Sequence, residues 1–293
     1  MNNLPWDNAE SFWVFAGWPL AWIIATSVFF TAVSLPFLWR LKGSPHSANG
    51  NVAAPAHPYR ELISRDFLLK LLAAYFLSCL LISLRPSPTS IFAPLSFMGF
   101  AFIWGGVLLA MIDAHTAMLP KCLTYLVLGL EICAVAQVTF TKAFDKLYPT
   151  PIADGGVPPG QIPLSWRQVF EPAANSIMSA LLAVAILGFI WRVGKKHGKT
   201  NTPPMGFGDV RLAGVIGLPL GLNQVTGSMP SIVIALLIGS LIGVATGALR
   251  LRKARRAGKN LSAHPKDVSF PFGPSLVIGA ILTQTLVQLL QLF

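Results

Sequence analysis

The stretch that decides the fold is residues 95–120, LSFMGFAFIWGGVLLAMIDAHTAMLP. Its first 18 residues carry no charge, and Asp113 follows them directly. A helix rises about 1.5 Å per residue, so roughly 17 to 25 mostly apolar residues are needed to cross about 30 Å of hydrocarbon. The stretch therefore predicts a membrane-spanning helix with a carboxylate at one end.

The composition of the whole chain agrees with this stretch. Of 293 residues, 54% are hydrophobic and only 11% are charged, and the mean hydropathy is +0.62. Soluble domains carry about 25% charged residues, so an ordinary soluble enzyme is excluded. The net charge of +11 comes from basic residues that cluster between apolar runs. We therefore expect anionic membrane lipids, and not nucleic acid, as partners of those charges.

Eight apolar runs predict an all-α polytopic membrane protein, with residues 1–293 forming a single membrane-embedded domain. The run at 209–222 is short and glycine-rich, and Pro203, Pro204 and Pro219 mark breaks around it. We expect a tilted or re-entrant helix there, with its irregular backbone buried in protein. The predicted spans are approximately 11–39, 67–84, 95–112, 120–140, 173–193, 209–222, 230–249 and 272–293.

The distribution of basic residues between loops predicts the orientation. Lys and Arg are retained on the cytoplasmic side of membrane proteins. Eight spans divide the loops into two alternating sets, and one set holds most of the 22 basic residues. The other set holds only Arg85, Lys142, Lys146 and Arg167. This places both termini outside the cytoplasm, with 40–66 a short cytoplasmic loop and 141–172 an outer loop.

Three carboxylates lie within or beside the apolar runs: Asp113, Glu131 and Asp209. Carboxylates in such places are candidates for function. Each also has a structural interpretation. Asp113 would be a helix end among the lipid headgroups, and Asp209 would cap the helix that follows it. Glu131 would form an interhelical hydrogen bond or pack as the neutral acid.

Asp113 and Asp209 gain significance together, because the predicted topology places both at the cytoplasmic membrane edge. Two carboxylates brought close in a low-dielectric site cannot both ionise easily, so they share one proton. One can then take a proton from water while the other donates to a carbonyl oxygen, which hydrolyses a peptide without a metal or cofactor. Gly206 and Gly208, which lack a Cβ, would let an extended substrate approach Asp209 closely.

At these residues the chain resembles the type IV prepilin peptidases, a family of GxGD-type intramembrane aspartic proteases. Asp113 is followed by Leu119-Pro120 and Leu123-Thr124, like the first aspartate block of that family. The block GFGDVRL at 206–212 is similar to its GxGD block with the following basic residue. Further similar blocks are PFGP at 271–274 and, more weakly, Pro58, Glu61 and Leu62.

The resemblance implies that Asp113 and Asp209 are catalytic and that the enzyme removes short basic leaders from type IV prepilins or pseudopilins. It implies a multi-pass protein of the bacterial inner membrane, serving type IV pilus assembly or type II secretion, with the site facing the cytoplasm. The supporting residues it implies are Gly206, Gly208, Arg211, Pro271, Phe272, Gly273 and Pro274.

The first cytoplasmic loop departs from many members of that family, which carry paired Cys-x-x-Cys motifs that bind zinc and an N-methylation region. Residues 40–66 contain no cysteine. A metal is therefore not expected, and neither is methyl transfer from S-adenosylmethionine. His46 and His57 in this loop have no surrounding ligand set. The prediction is a peptidase-only enzyme without a cofactor.

Several residues and functions stay open at this point. His115 would tune Asp113 or be solvated at the membrane face, and Arg211 would steady Asp209 or contact lipid phosphate. Glu61 and Asp66 would attract a basic leader. The competing function is a secondary transporter or channel in which the two aspartates bind a cation or relay protons. A presenilin relative and an inactive assembly subunit are further alternatives, although Ile112 and the Pro-Phe-Gly-Pro block differ from the presenilin pattern.

Overall fold

The computed structural model describes residues 9–42, 60–83, 96–116, 119–147, 166–197, 206–222, 228–256 and 272–290. Across these residues the regular structure is helical. Six of the helices are long and apolar enough to cross a membrane: Leu20–Leu41, Arg65–Ser83, Phe97–Thr116, Lys121–Phe144, Val169–Lys196 and Ser231–Leu249. The prediction of an all-α protein with membrane-spanning helices is confirmed. The count of eight spans and the side of the termini stay predictions.

A helix lies at each of the eight predicted positions. Two of them are short: α7 (Phe207–Gly221) and α9 (Gly273–Leu290), which begins at the glycine of the Pro-Phe-Gly-Pro block. His46, His57, Pro58, Pro203, Pro204, Pro271 and most of the two predicted long loops lie outside the described residues. The α-helices are α1 (Ala9–Lys42), α2 (Arg65–Ser83), α3 (Phe97–Phe100), α4 (Gly106–Thr116), α5 (Lys121–Leu147), α6 (Trp166–His197), α7 (Phe207–Gly221), α8 (Ser228–Arg256) and α9 (Gly273–Leu290).

The helical unit Phe97–Thr116 lies at the centre of the bundle. In this unit 78% of the apolar window is buried, against 22–39% in the other five spans. A π-helical segment, Ala101–Gly105, joins α3 to α4. At its end Gly105 packs so closely on Val127 of α5 that no Cβ would fit without displacing the valine. The unit Phe97–Thr116 thus forms the core against which the other helices pack.

A buried polar cluster fastens this central unit to α1 and α2. The Trp104 Nε1–H donates to Ser34 Oγ over 3.0 Å, and the Tyr75 hydroxyl donates to the Trp104 carbonyl oxygen over 3.2 Å. Ser34 Oγ and the Tyr75 hydroxyl are themselves 2.9 Å apart. Because no water is available at this depth, polar side chains of neighbouring helices pair with each other.

Small residues bring α7 against α6, and α9 against α8. A Cβ on Gly217 would lie 2.5 Å from the Ala180 Cα, and a Cβ on Gly221 would overlap Ser176. In the second pair, a Cβ on Gly279 would lie 2.5 Å from the Ala235 carbonyl oxygen. Close backbone approach through small residues is the usual packing mode between helices in membranes. It holds the two short helices firmly in the bundle interior.

The helix predicted at 209–222 is regular and deeply enclosed. From Leu212 to Gly221 every residue of α7 is buried. This agrees with the expectation that its backbone lies inside the protein. Pro219, however, lies within the helix and does not break it. It is near the C-terminal end, where α7 stops at Gly221 and Leu222 donates back to the Pro219 carbonyl oxygen over 3.1 Å.

Candidate active site

Asp113 lies inside α4, three residues before the helix ends, and its side chain is only 5% exposed. Helix α4 packs against α9 at this point. The backbone N–H of Gly273, the first residue of α9, donates to Asp113 Oδ2 over 3.1 Å. The N-terminal N–H groups of a helix lack intrahelical partners and favour a negative charge. Asp113 therefore has a structured anion site and is not a solvated helix end.

Asp209 is the third residue of α7 and is 6% exposed. The N-cap position belongs to Gly206, so the expectation that Asp209 caps the helix is wrong. Its carboxylate instead reaches back to the backbone amide of Gly206. This is the position of the acidic residue in a capping box, where a side chain at N3 satisfies the N-cap amide. The beginning of α7 thus fixes the direction of the Asp209 side chain.

The two aspartates converge on the beginning of α9. The Asp209 carboxylate lies close enough to Asp113 for like-charge repulsion, and it also interacts with the Gly273 backbone amide. One N–H group therefore faces both carboxylates, although Asp113 and Asp209 come from different helices. The sequence prediction that these two residues meet agrees with this geometry.

The glycines around the pair differ in how closely they are packed. A Cβ on Gly273 would lie 2.6 Å from Asp113 Oδ2 and 3.0 Å from Leu212 Cδ2. A Cβ on Gly208 would lie 3.1 Å from Leu119 Cδ1. Gly206 has more room, since its nearest neighbour would be Asp209 Oδ2 at 3.7 Å. Only the exposed Gly206 thus matches the expected open approach, while Gly208 and Gly273 are packing positions.

The other two described residues of the Pro-Phe-Gly-Pro block frame the start of α9. Phe272 is half-buried against the apolar core, and its carbonyl oxygen accepts from the Leu276 backbone amide over 3.2 Å. Pro274 is the second residue of the helix. A proline in the first turn loses no helical hydrogen bond, because the amide there has no intrahelical partner.

Arg211 belongs to a row of cations and aromatic rings at the same end of the bundle. Its guanidinium lies 5.0 Å from the Phe207 ring centroid and 5.9 Å from that of Tyr125. Phe207 packs edge-on against Trp191, over which Lys195 Nζ lies at 5.3 Å. Residues two apart on a helix do not share a face, so Arg211 points away from Asp209. Mixed aromatic and basic side chains are typical of the membrane interface.

The start of α2 lies at this end as well. The Phe67 ring packs edge-on against His115, which follows Asp113 by two residues, with 5.4 Å between ring centroids. Asp66, directly before Phe67, is an exposed acidic residue in the first turn of α2. Leu62, from the sequence block with the weakest resemblance to prepilin peptidases, is fully buried. The Glu61 side chain lies outside the described residues.

Glu131 is separate from the pair. It lies in the middle of α5 with no exposed surface, and in the described part of the chain neither carboxylate oxygen has a hydrogen-bond partner. The expected interhelical hydrogen bond is therefore not formed with any described residue. Burying a charged carboxylate without a partner is very costly, which favours the alternative expectation of a neutral packed acid.

Metal-ligating residues are not grouped in the described part of the chain. No three of its His, Cys, Asp and Glu residues are placed to hold a metal ion. Of the three cysteines, Cys79 is buried whereas Cys122 and Cys133 are exposed.

Sequence reasoning missed the neighbours that shape the site. Leu119 and Leu212 close in on Gly208 and Gly273, and they carry no chemical signal of their own. Tyr125 and Trp191 could have been found, because aromatic residues beside Lys and Arg at span ends indicate the membrane interface.

No protein-family model matches the chain, and comparison with curated proteins and with solved structures also gave no match. The geometry of the two aspartates therefore carries the functional argument.

Proposed function

We propose that the chain is an intramembrane aspartic endopeptidase that removes short basic leaders from type IV prepilins or pseudopilins. One observation carries the proposal. The buried carboxylates of Asp113 and Asp209, on α4 and α7, converge on the Gly273 N–H at the beginning of α9. The sequence blocks around these residues resemble those of prepilin peptidases, which supplies the substrate class.

The chemistry needs one proton between the two carboxylates. The ionised carboxylate takes a proton from a water molecule, whose oxygen attacks the scissile carbonyl carbon. The other carboxyl donates its proton to the carbonyl oxygen, giving a neutral diol. The amide nitrogen then takes the proton that the first carboxylate gained from water, a diol hydroxyl gives its proton to the second carboxylate, and the C–N bond breaks. One water is consumed, and the pair again holds a single proton.

The surrounding backbone assists by holding the pair in position. The Gly273 N–H and the Gly206 N–H are donors at helix N-termini, where a negative charge is favoured. They orient the carboxylates before substrate arrives, which removes reorganisation from the reaction. Low exposure of both side chains limits the bulk water that would weaken these interactions.

Location at a membrane edge supports a substrate that is itself a membrane protein. Arg211, Tyr125, Trp191 and Lys195 lie at the end of the bundle where α7 begins, as interfacial side chains do. The basic loops of the sequence favour the cytoplasmic side for this end. A leader that precedes an apolar helix would bring its junction to this depth.

The experiment is co-expression of the full chain with a candidate prepilin, followed by the size of the pilin in isolated membranes. We expect wild type to shorten the prepilin and Asp113→Asn or Asp209→Asn each to abolish shortening while still inserting. Glu171→Gln, at an exposed carboxylate of α6, is the matched control and should cleave normally. Substantial processing by either asparagine variant would remove that residue from the catalytic pair.

A further inference from the structure

A long apolar groove leads away from the aspartates along the outside of the bundle. Its volume is about 720 Å³. Helices α5 and α6 form its walls and α7, the helix that carries Asp209, forms its floor. Wall residues include Ile132 and Phe140 of α5 and Leu181 of α6, which are 52%, 74% and 58% exposed. The groove is thus open to the surroundings along its length.

Its length matches the thickness of a bilayer. The lining on α5 runs from Thr124 to Ala143. At 1.5 Å per residue this is roughly 28 Å, close to the hydrocarbon thickness of about 30 Å. A lipid chain entering from one leaflet reaches only about half of that thickness. A single occupant of the whole groove must therefore be an apolar segment that crosses the membrane.

One end of the groove lies near the beginning of α7, although neither Asp113 nor Asp209 is among its described lining residues. Arg211 and Tyr125 lie at one end of it and contact each other, and Arg211 is two residues from Asp209 on α7. Among the described residues of the lining, Arg211 alone is charged. It repels basic side chains, so a basic leader cannot enter and stays at the water-facing end while an uncharged helix occupies the groove. The junction between leader and helix would then lie at the level of the aspartates.

We propose that this groove binds the apolar helix of the substrate and so sets the position of the bond that is cut. The inference rests on the proposed function, and it identifies the surface that binds the membrane-embedded part of the substrate. The groove acts through binding, because its described lining residues include neither of the two carboxylates.

Two substrates test the proposal: a full-length prepilin and a peptide that contains the leader junction but lacks the apolar helix. Ala136→Phe places a ring in the groove, and Ala245→Phe places one on an exposed position of α8 outside it. We expect Ala136→Phe to raise KM for the full-length substrate at least about tenfold, as overfilling a packed site does. It should leave kcat/KM for the short peptide unchanged, and Ala245→Phe should match wild type on both.

A crosslinking measurement keeps the test independent of the folding of Ala136→Phe. A photoreactive amino acid replaces Ile132 in the groove or Ile190, a similarly exposed residue of α6 outside it, in the Asp113→Asn background. We expect crosslinks to the helix of uncleaved prepilin from position 132 and not from position 190. Crosslinks to lipid alone, or equal crosslinks from both positions, would overturn the inference.

The outcomes separate the two proposals. Wild type that cleaves neither substrate overturns the proposed function and this inference with it. If wild type cleaves both substrates and Ala136→Phe behaves as Ala245→Phe does, the proposed role of the groove is overturned. The proposed function is then unaffected.

Discussion

The Gly273 backbone N–H donates to Asp113 Oδ2 over 3.1 Å, although the two residues are 160 positions apart. This hydrogen bond joins the beginning of α9 to a carboxylate in α4. The same N–H faces Asp209, so a small movement of α9 would disturb both carboxylates. The last helix of the bundle therefore positions the pair without contributing a reactive side chain.

Gly273→Ala tests this relationship. The added Cβ would lie 2.6 Å from Asp113 Oδ2, so either the carboxylate or the start of α9 must shift. A displacement of about 1 Å in a catalytic site costs on the order of 100-fold in rate. We expect kcat for prepilin cleavage to fall about that much, with normal amounts of protein in the membrane.

Gly129→Ala on α5 is the matched control, because a Cβ there meets nothing within 4 Å. It should cleave as wild type does. If Gly273→Ala also retained full activity, the Gly273 N–H would not be positioning the pair.

Gly208→Ala should impair cleavage through a different contact. Its Cβ would lie 3.1 Å from Leu119 Cδ1 and 3.3 Å from Leu119 Cβ, pressing the start of α7 away from the residues that precede α5. We expect roughly a tenfold loss of kcat/KM, equivalent to about 1.4 kcal/mol. Leu119→Ala in the same chain should restore part of it, since the contact with Leu119 Cδ1 is then gone while the contact with Cβ remains.

Gly206→Ala provides the comparison within the same motif. The nearest atom to its Cβ would be Asp209 Oδ2 at 3.7 Å, and its φ of −68° suits any residue. Gly206→Ala should therefore retain near-normal activity. A loss as large as that of Gly208→Ala would show that the motif is needed for substrate approach and not for packing.

Sequence patterns predicted the helical fold and the proximity of the two aspartates, because apolar spans and carboxylates beside them have chemical signatures. Apolar runs of bilayer length indicate spans, and a carboxylate such as Asp113 at the end of one stands out against so few charges. The N-cap assignment of Asp209 was wrong by one helical turn. Glycine is also accepted at the N-cap position, so either Gly206 or Asp209 could be the N-cap residue of α7. The sequence does not choose between these two residues.

The remaining features depend on which helix faces which. The groove between α5 and α6, the enclosure of α7 and the contact of Leu119 with Gly208 arise from tertiary packing. Glu131 shows the same limit, since a carboxylate in a span can pair with another helix or stay alone. Only the arrangement of neighbours decides between those outcomes.

Tyr75→Phe should lower the stability of the bundle without touching the aspartates. The change removes the hydroxyl that donates to the Trp104 carbonyl oxygen and contacts Ser34 Oγ. Interhelical hydrogen bonds in membranes contribute about 0.6 kcal/mol on average and about 1.7 at most. We expect a loss in this range in unfolding from mixed micelles. Tyr125→Phe, at an exposed tyrosine, should show none, and equal values for both variants would contradict a structural role for the cluster.

Glu131→Gln tests whether Glu131 packs as a neutral acid. Because both oxygens of Glu131 are buried without a hydrogen-bond partner among the described residues, an uncharged amide of similar size should fold and cleave as wild type does. Glu131→Lys adds a charge that cannot be paired and should prevent stable insertion. Loss of folded protein or of cleavage in Glu131→Gln would contradict a neutral packed acid. Movement of a cation or of protons into proteoliposomes by wild type, with loss of that movement in Asp113→Asn or Asp209→Asn, would favour the transporter.

Asp66 should attract the basic leader to the site. It is exposed in the first turn of α2, next to Phe67, which packs on His115 two residues from Asp113. Replacing Glu61 and Asp66 together by Gln and Asn should raise KM for a leader with several basic residues by about two- to fivefold. The range is small because exposed charges are screened. The kcat should not change, since neither residue belongs to the pair.

High salt should raise the KM of wild type towards that of the variant, and a prepilin with a neutral leader should show no difference between them. Unchanged processing of the basic leader at low salt would leave these two acids without a role in substrate attraction.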